Sequence, residues 1–484
     1  MIDHDLTLWA RYSKADGDMQ RWQGEWAALE RYLQDDHAAD TLEAARRAFK
    51  MSSVAWNQEQ SWVYLPLVRM LAKRMSVTFD VAPSTYLVRR GSEDPLPETD
   101  PSVVQWRIDE QRLNLPAWGQ DIELRVTALA TAVSVPTWVG DGIEWLTYSP
   151  SDVRVLPGSQ RPGDLQAARV VGFRLRLGPG ADGSPQADQW LCYTLDEHGQ
   201  RGLWQVSEEG MRTRAPLFEG GANPYACLPA VAWSWEMPRR GSWWCPPPSS
   251  LLASQRAVNL DMTDLHHGMR FNAHPVRVRY GQQIAPPGGK LSEVAVGPGF
   301  EANFQDRASG GMEFVSPNLN SEEHRATIES LLQKLAVMNG LPPDAFATYS
   351  PVRNLGAMQE VKAELQRIRV QRRPIVQRLL AQQFAAHRAV GNAWAEIASW
   401  LAGQGISVPS RSRIADDVEI RLEVVERAGV EDRQSAAQST AIEIQTGQTS
   451  PVELEMGRAG TTRAEAAAAV ARREADNANV NGVA

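Results

Sequence analysis

The spacing of apolar residues changes character several times along the chain. In DMQRWQGEWAALERYL, Trp22, Trp26, Leu29 and Leu33 recur three and four positions apart, which is one face of a helix. Helical character is expected across 18–75, with a break at Pro66 inside SWVYLPLVRMLAKRM. The period then shortens. VTFDVA, EWLTYS, ARVVGFRLRL and QWLCYTL are short, β-branched or aromatic, and bounded by Gly, Pro, Asp and Ser, so 76–235 is read as a mixed α/β body with several strands. GSWWCPPPSS at 241–250 closes this region, because three consecutive prolines suit neither a helix interior nor a central strand.

Ser249 or Ser250 is placed to cap the helix that follows. Its apolar positions are Leu251, Val258, Met262, Leu265 and Met269, and Pro275 ends it. VRVRY, EVAV and MEFV, separated by APPGGK, GPG and ASGG, predict a small β module. A second helix starts behind Asn320, with Glu323 at capping-box spacing. It presents Ile328, Leu331, Leu332, Leu335 and Met338 and stops at Gly340, ahead of Pro342 and Pro343. After the loop LPPDAFATYSPVRN, a long helical pattern runs from about 355 to 403 and is expected to kink at Pro374. DVEIRLEVV at 417–425 alternates as a strand, and 431–478 reads as short Ala-rich helices.

At 484 residues the chain has room for about three domains and a large core. The formal charge of −8 argues against a strongly basic nucleic-acid binder. The three cysteines are far apart and form no CxxC pair, so neither a zinc ribbon nor a disulfide framework is indicated. Fifteen of the 17 tryptophans lie at or before Trp244, which sets the first half apart as a different kind of structure. The N-terminus lacks the apolar segment of a signal peptide, and no run of about 18 apolar residues occurs, so no membrane span is expected.

Candidate chemistry is sparse. His266, His267 and His274 fall within nine residues, but a helical metal pair needs a spacing of three or four, and no HExxH is present. They are read as polar residues near the end of an amphipathic helix. PPGGKLSE lacks both the first Gly of a phosphate loop and the Ser or Thr after its Lys. No GxSxG occurs. No catalytic residue, metal or cofactor is therefore expected. Residues 355–390 hold seven Lys or Arg against two Glu, a net +5, which suits a solvated face, inter-subunit ion pairs or contact with phosphates.

The order of elements, with several local phrases, resembles the portal proteins of tailed bacteriophages. YLPLVRMLAKRMSVTFD looks like the family's early helix and its lead into a wing strand. TYSPSDVRVLPG is similar to its strand–turn–strand phrase. LPAVAWSWEMPRRGSWWCPPPSSLLASQRAVNLDMTDL resembles its passage from wing into stem. NGLPPDAF before an Arg-rich helix is similar to its tunnel-loop junction, and TAIEIQTGQTSPVELEMGRAGTT to a segment near its C-terminus.

The resemblance implies an α+β portal-like subunit. Its parts would be an N-terminal wing at 1–248, a stem helix at 249–272, a clip at 273–319 and a second stem helix at 320–340. A tunnel loop at 341–356, a long wing helix with a wing strand at 357–429, and a crown at 430–484 would complete it. It further implies a non-enzymatic ring, typically a dodecamer, at the capsid vertex of a virion assembled in a bacterial host's cytoplasm. Double-stranded DNA would pass through the ring. The partners it implies are the terminase large subunit, a head–tail adaptor, and the major capsid and scaffolding proteins. Arg353, Asp344 and Tyr349 become channel candidates, and Arg277, Arg279 and Lys290 clip-docking candidates. Two other readings stand beside it: a different virion ring or adaptor protein, and a metal-dependent hydrolase built on the histidines.

Overall fold

In the computed structural model the described residues are 2–43 without 16, 37 and 39; 63–79; 84–158; 165–175; 188–196; 200–213; 221–238 without 226; 242–273; 276–280; 301–304; 311–315; 320–346 without 342; 355–403; and 411–423. All belong to one unit of the fold, which ends at Glu423. The expected tail helices at 431–478 and the strand EVAV lie outside the described residues.

A two-stranded antiparallel ribbon ties the early chain to its far end: β1 (Ser84–Arg89) pairs with β12 (Val418–Glu423), from Ser84↔Glu423 to Arg89↔Val418. Between them lie two antiparallel sheets. In the first, β2 (Ala132–Val139) is flanked by β3 (Gly142–Tyr148) and β8 (Val231–Trp233). Pro136 is tolerated in this central strand because β8 pairs with β2 only over 132–134. The second has the order β4 (Val153–Leu156), β5 (Val170–Leu175), β6 (Gln189–Leu195) and β7 (Arg201–Ser207). EWLTYS, ARVVGFRLRL and QWLCYTL are thus strands as expected. VTFDVA differs: Val77–Phe79 are irregular, and their amides bond to a buried carboxylate rather than to a neighbouring strand.

Helix α1 (Ile2–Ala15) lies on the four-stranded sheet and buries Leu6, Trp9 and Ala10 against Leu156, Val170, Trp190, Cys192, Trp204 and Val206. The Trp9 indole donates to the Arg154 carbonyl at 3.0 Å, and the Arg154 guanidinium sits 4.2 Å from the Trp190 ring centre. Helix α2 (Gly17–Leu33) buries Trp26, Leu29 and Leu33, the face its spacing foretold. Helix α3 (Leu67–Met75) begins directly after Pro66. Helices α4 (Pro101–Leu113) and α5 (Leu115–Leu129) follow, the first capped by Asp100, whose carboxylate accepts from the Ser102 amide at 2.8 Å. Tryptophans from these pieces meet in one aromatic cluster. Trp118 stands 4.5 Å from Trp145 and 5.2 Å from Trp233, and Trp106 meets Phe384 at 5.1 Å.

Past the prolines comes α6 (Ser249–Ala273). The Ser249 hydroxyl donates to Glu25 at 2.6 Å instead of capping the helix. A three-stranded module follows, with β9 (Val276–Tyr280) between β10 (Glu301–Phe304), which runs parallel to it, and β11 (Gly311–Val315), which runs antiparallel. Helix α7 (Ser321–Met338) is capped by Asn320, whose side chain accepts from the Glu323 amide and donates to the Glu323 carboxylate. The expected cap is present, but the return bond of a capping box is made by the Asn320 side-chain amide in place of its backbone N–H. Gly340 then takes φ +71°, the left-handed geometry that ends a helix. Helix α8 (Leu355–Gly403) runs through Pro374 for 49 residues, roughly 73 Å, and packs on β2, β8 and β12.

Two sequence-predicted faces need correction. On α6, Leu251 and Val258 are buried, but Met269 is half exposed; on α7, Ile328 and Leu335 are buried, but Met338 is exposed. Both exceptions are the last apolar position of their helix's predicted face.

Candidate functional site

The excursion α6–β9–β10–β11–α7 and the start of α8 carry the residues singled out from sequence. Arg277 and Arg279 lie on β9, the central strand of the module. Arg277 stands opposite Glu301 and Phe314, and Arg279 opposite Asn303 and Met312. Asp344 falls in the 3-10 turn Pro343–Phe346. Lys290, Tyr349, Arg353 and His274 lie outside the described residues. His266 is half-buried on α6, in a groove shared with α7. No group of three or more His, Cys, Asp or Glu among the described residues is placed to hold a metal ion.

The root of the excursion is held by an arrangement that the apolar pattern did not reveal. Gln255, Asn259 and Thr263, four residues apart on α6, are fully or almost fully buried. Their side chains accept, in turn, from the amides of Val68 at 2.9 Å, Leu65 at 3.0 Å and Val63 at 3.2 Å. Residues 63–68 thus run antiparallel to the helix, and amides with no strand partner are satisfied by helix side chains. Arg256 adds a bidentate pair to Asp40, at 2.6 and 2.9 Å. The signal was present as Q-x₃-N-x₃-T, a polar row at helical spacing.

Further out, α6 and α7 face each other across an apolar groove of about 790 Å³, lined by Met262, Leu265, Met269, Ile328, Leu332 and Phe346, among others. Asp261 and Asp264 lie on α6 near His324 of α7. Burial raises both carboxyls above their ordinary value, and the Asp261 charge raises Asp264 further.

Two buried polar networks fix α8 to the body. Arg372, two residues before Pro374, donates to Glu123 at 3.0 Å and to the Met75 carbonyl at 2.6 Å, and stacks over Trp235 at 4.3 Å. Burial lowers the pKa of Arg372 from its usual value, and Glu123 opposes that. Glu123 is wholly buried and also accepts from the amides of Val77, Thr78 and Phe79 and from the Thr78 hydroxyl. The Phe79 ring packs against Gly119, where a Cβ would stand 2.3 Å from the ring.

In the second network Asp109 accepts two bonds from Arg411, both 2.6 Å, and one from His387 Nε2 at 2.9 Å. The Trp145 indole, a donor only, reaches His387 Nδ1 at 3.1 Å. Nδ1 is therefore the acceptor and Nε2 carries the proton, so the imidazole is neutral. Burial, with the Arg411 charge, lowers the His387 pKa and outweighs Asp109. Burial would raise Asp109, but its bonds from His387 and Arg411 more than offset that and hold it below the ordinary carboxylate value.

The Asp–His pair is no catalytic relay: both imidazole nitrogens are engaged and the ring is wholly buried. Burial pushes the thiols of Cys192, Cys227 and Cys245 up, away from nucleophilic character. The cleft of about 760 Å³ beside α8 is lined by Gln166, Cys227, Arg388, Asn392, Glu396 and Arg413, among others, with Arg413 paired to Glu396 at 2.8 Å. No helix among the described residues is long and apolar enough to cross a membrane.

No family profile matches the chain, and no curated protein does. Among solved structures it is similar to a chain in the virion of a native gene transfer agent particle, at 12% identity and a TM-score of 0.35, covering 84% of this chain and 89% of that one. It is also similar to chains in the neck of an empty particle computed with C6 symmetry, at 11% identity and a TM-score of 0.39, and in the neck of a native particle computed with C12 symmetry, at 11% and 0.36. Each covers 85% of this chain and 90% of the other. Likeness at this level does not bear on function.

Proposed function

We propose that the chain is the subunit of a portal-type ring: a structural, non-enzymatic component of a phage-like virion, set at a capsid vertex and passing double-stranded DNA. The observation that carries this reading is the excursion of α6, the three-stranded module and α7. It is rooted at one end by the Gln255–Asn259–Thr263 row and followed by a long helix returning across the body to β12. Such an excursion adds little to its own subunit's core, since α7 buries only Ile328, Leu335 and Ala336. Subunits repeated around a ring supply the missing neighbours.

A chain charge of −8 suits passage of DNA rather than capture, because each neutralised phosphate adds affinity. In this reading the turn at Asp344 and the residues through Tyr349 and Arg353 face the channel. Arg277, Arg279 and Lys290 belong to a docking module for a terminase large subunit and later a head–tail adaptor. Major capsid and scaffolding proteins surround the ring, which is probed first by its shape. Negative-stain images of the purified protein should show closed rings, around twelve-fold, with a central hole. A strictly monomeric species across protein and salt concentrations would overturn the reading. Replacing 273–319 by a short linker should leave the rings intact and abolish motor binding.

A further inference from the structure

Helix α6 has two long faces. One is buried on the body through Leu252, Gln255, Val258, Asn259 and Thr263. The opposite face carries Ala253, Ala257, Asp261, Asp264 and Gly268, that is, small residues around two carboxylates one turn apart. Both carboxylates are half-buried, and neither has an ion-pair or hydrogen-bond partner among the described residues; the nearby titratable group is His324 of α7. Partly desolvated carboxylates in this state lack a cation.

A matching cation lies on α8. None of the residues 363–371 is buried, and the helix becomes anchored only at Arg372. Arg373 is exposed, has no ion-pair partner among the described residues, and follows Arg369 by one turn. Residues 355–390 carry +5 within a chain of −8, which leaves −13 for the rest, so copies of the chain are complementary in charge.

Resting on the homo-oligomeric part of the reading above, we propose that the Asp261–Asp264 face of α6 in one subunit seats Arg373 of α8 from a second copy. Asp261 and Asp264 are about 4.5 Å apart along the α6 axis, so both carboxylates can flank one guanidinium. Alanine and glycine around the carboxylates allow the close approach of a second helix, at roughly 8 Å between axes. The contact is head-to-tail, since one subunit gives α6 and the next gives α8, and a contact of this kind generates a ring when its rotation closes.

Charge reversal tests the pairing. Arg373→Glu alone, and Asp261→Arg with Asp264→Arg, should each raise the protein concentration needed for assembly at least tenfold by mass photometry. Circular dichroism, and melting compared at concentrations where parent and variants are all unassembled, should stay unchanged, because all three side chains are at least partly exposed. Combining the three substitutions in one chain, or mixing the two variants, should restore assembly. Rings that persist in both reversed variants would overturn this interface and leave the ring reading standing. Loss of assembly that the combination does not restore would also overturn the pairing. A monomeric parent protein would overturn both.

Discussion

Removing the carboxylate of Glu123 tests how α8 is held. In Glu123→Ala the Arg372 guanidinium, whose side chain is only 8% exposed, keeps the Met75 carbonyl but loses its counter-charge. The amides of Val77, Thr78 and Phe79 lose their acceptor in the same step. Taking one partner from a buried ion pair costs about 3–5 kcal/mol, and each orphaned amide adds about 1–3 kcal/mol unless water reaches it. These contributions are not additive, and water entry softens them, so about 4 kcal/mol is a conservative expectation. At about 1.4 kcal/mol per tenfold, that predicts a loss of protection of nearly a thousandfold. Native-state hydrogen exchange at the amides of 77–79, 372, 373, 375 and 376 measures it. The double variant Glu123→Ala/Arg372→Met should recover part of the loss, because it removes the stranded charge. A change of less than tenfold in the single variant, or a double variant worse than the single, would refute the view that this ion pair anchors the helix.

Three further outcomes are expected. His387 has a folded pKa below its unfolded value near 6.5, so the unfolded chain binds the proton first as pH falls; stability should decline below about pH 6.5, and the urea midpoint of His387→Gln should lose that dependence. Asp109, also held low, adds its own loss only at more acidic pH, as the solution falls through its folded value. Asn259→Leu should cost about 1–3 kcal/mol, read as faster exchange of the Leu65 amide whose acceptor it removes. Gly119→Ala should cost about 1–3 kcal/mol in chemical denaturation, because its Cβ would displace the Phe79 ring.

The elements that the sequence made legible were those whose period is set by a single buried face. Helices α2 and α7, strands β3, β5, β6 and β12, and the helix cap at Asn320 appear where spacing placed them. What spacing missed was decided by partners far away in the chain. Phe79 looked like a strand residue, but its amide belongs to Glu123, 44 positions on. Asp109, His387 and Arg411 are ordinary charged residues until the fold joins them across 302 positions. Met269 and Met338 continue an apolar period at positions that the described residues leave exposed, so periodicity alone could not tell core from surface. The polar row Gln255–Asn259–Thr263 was readable, but a search for apolar stripes passes over it.

The ribbon of β1 and β12 sets the timing of folding. Its nearest pair, Arg89 and Val418, is separated by 329 positions. At about 5–20 residues per second, a ribosome needs roughly 16–66 s to make that stretch. During this interval β1 is a strand edge without its partner, and loop closure of such length is slow. The ribbon that seals the body therefore cannot close before residue 418 has been made. By then the excursion has already been made, so a chain that stops early carries α6 and α7 on an unclosed frame and is exposed to proteases. Only chains extended past β12 would escape that exposure.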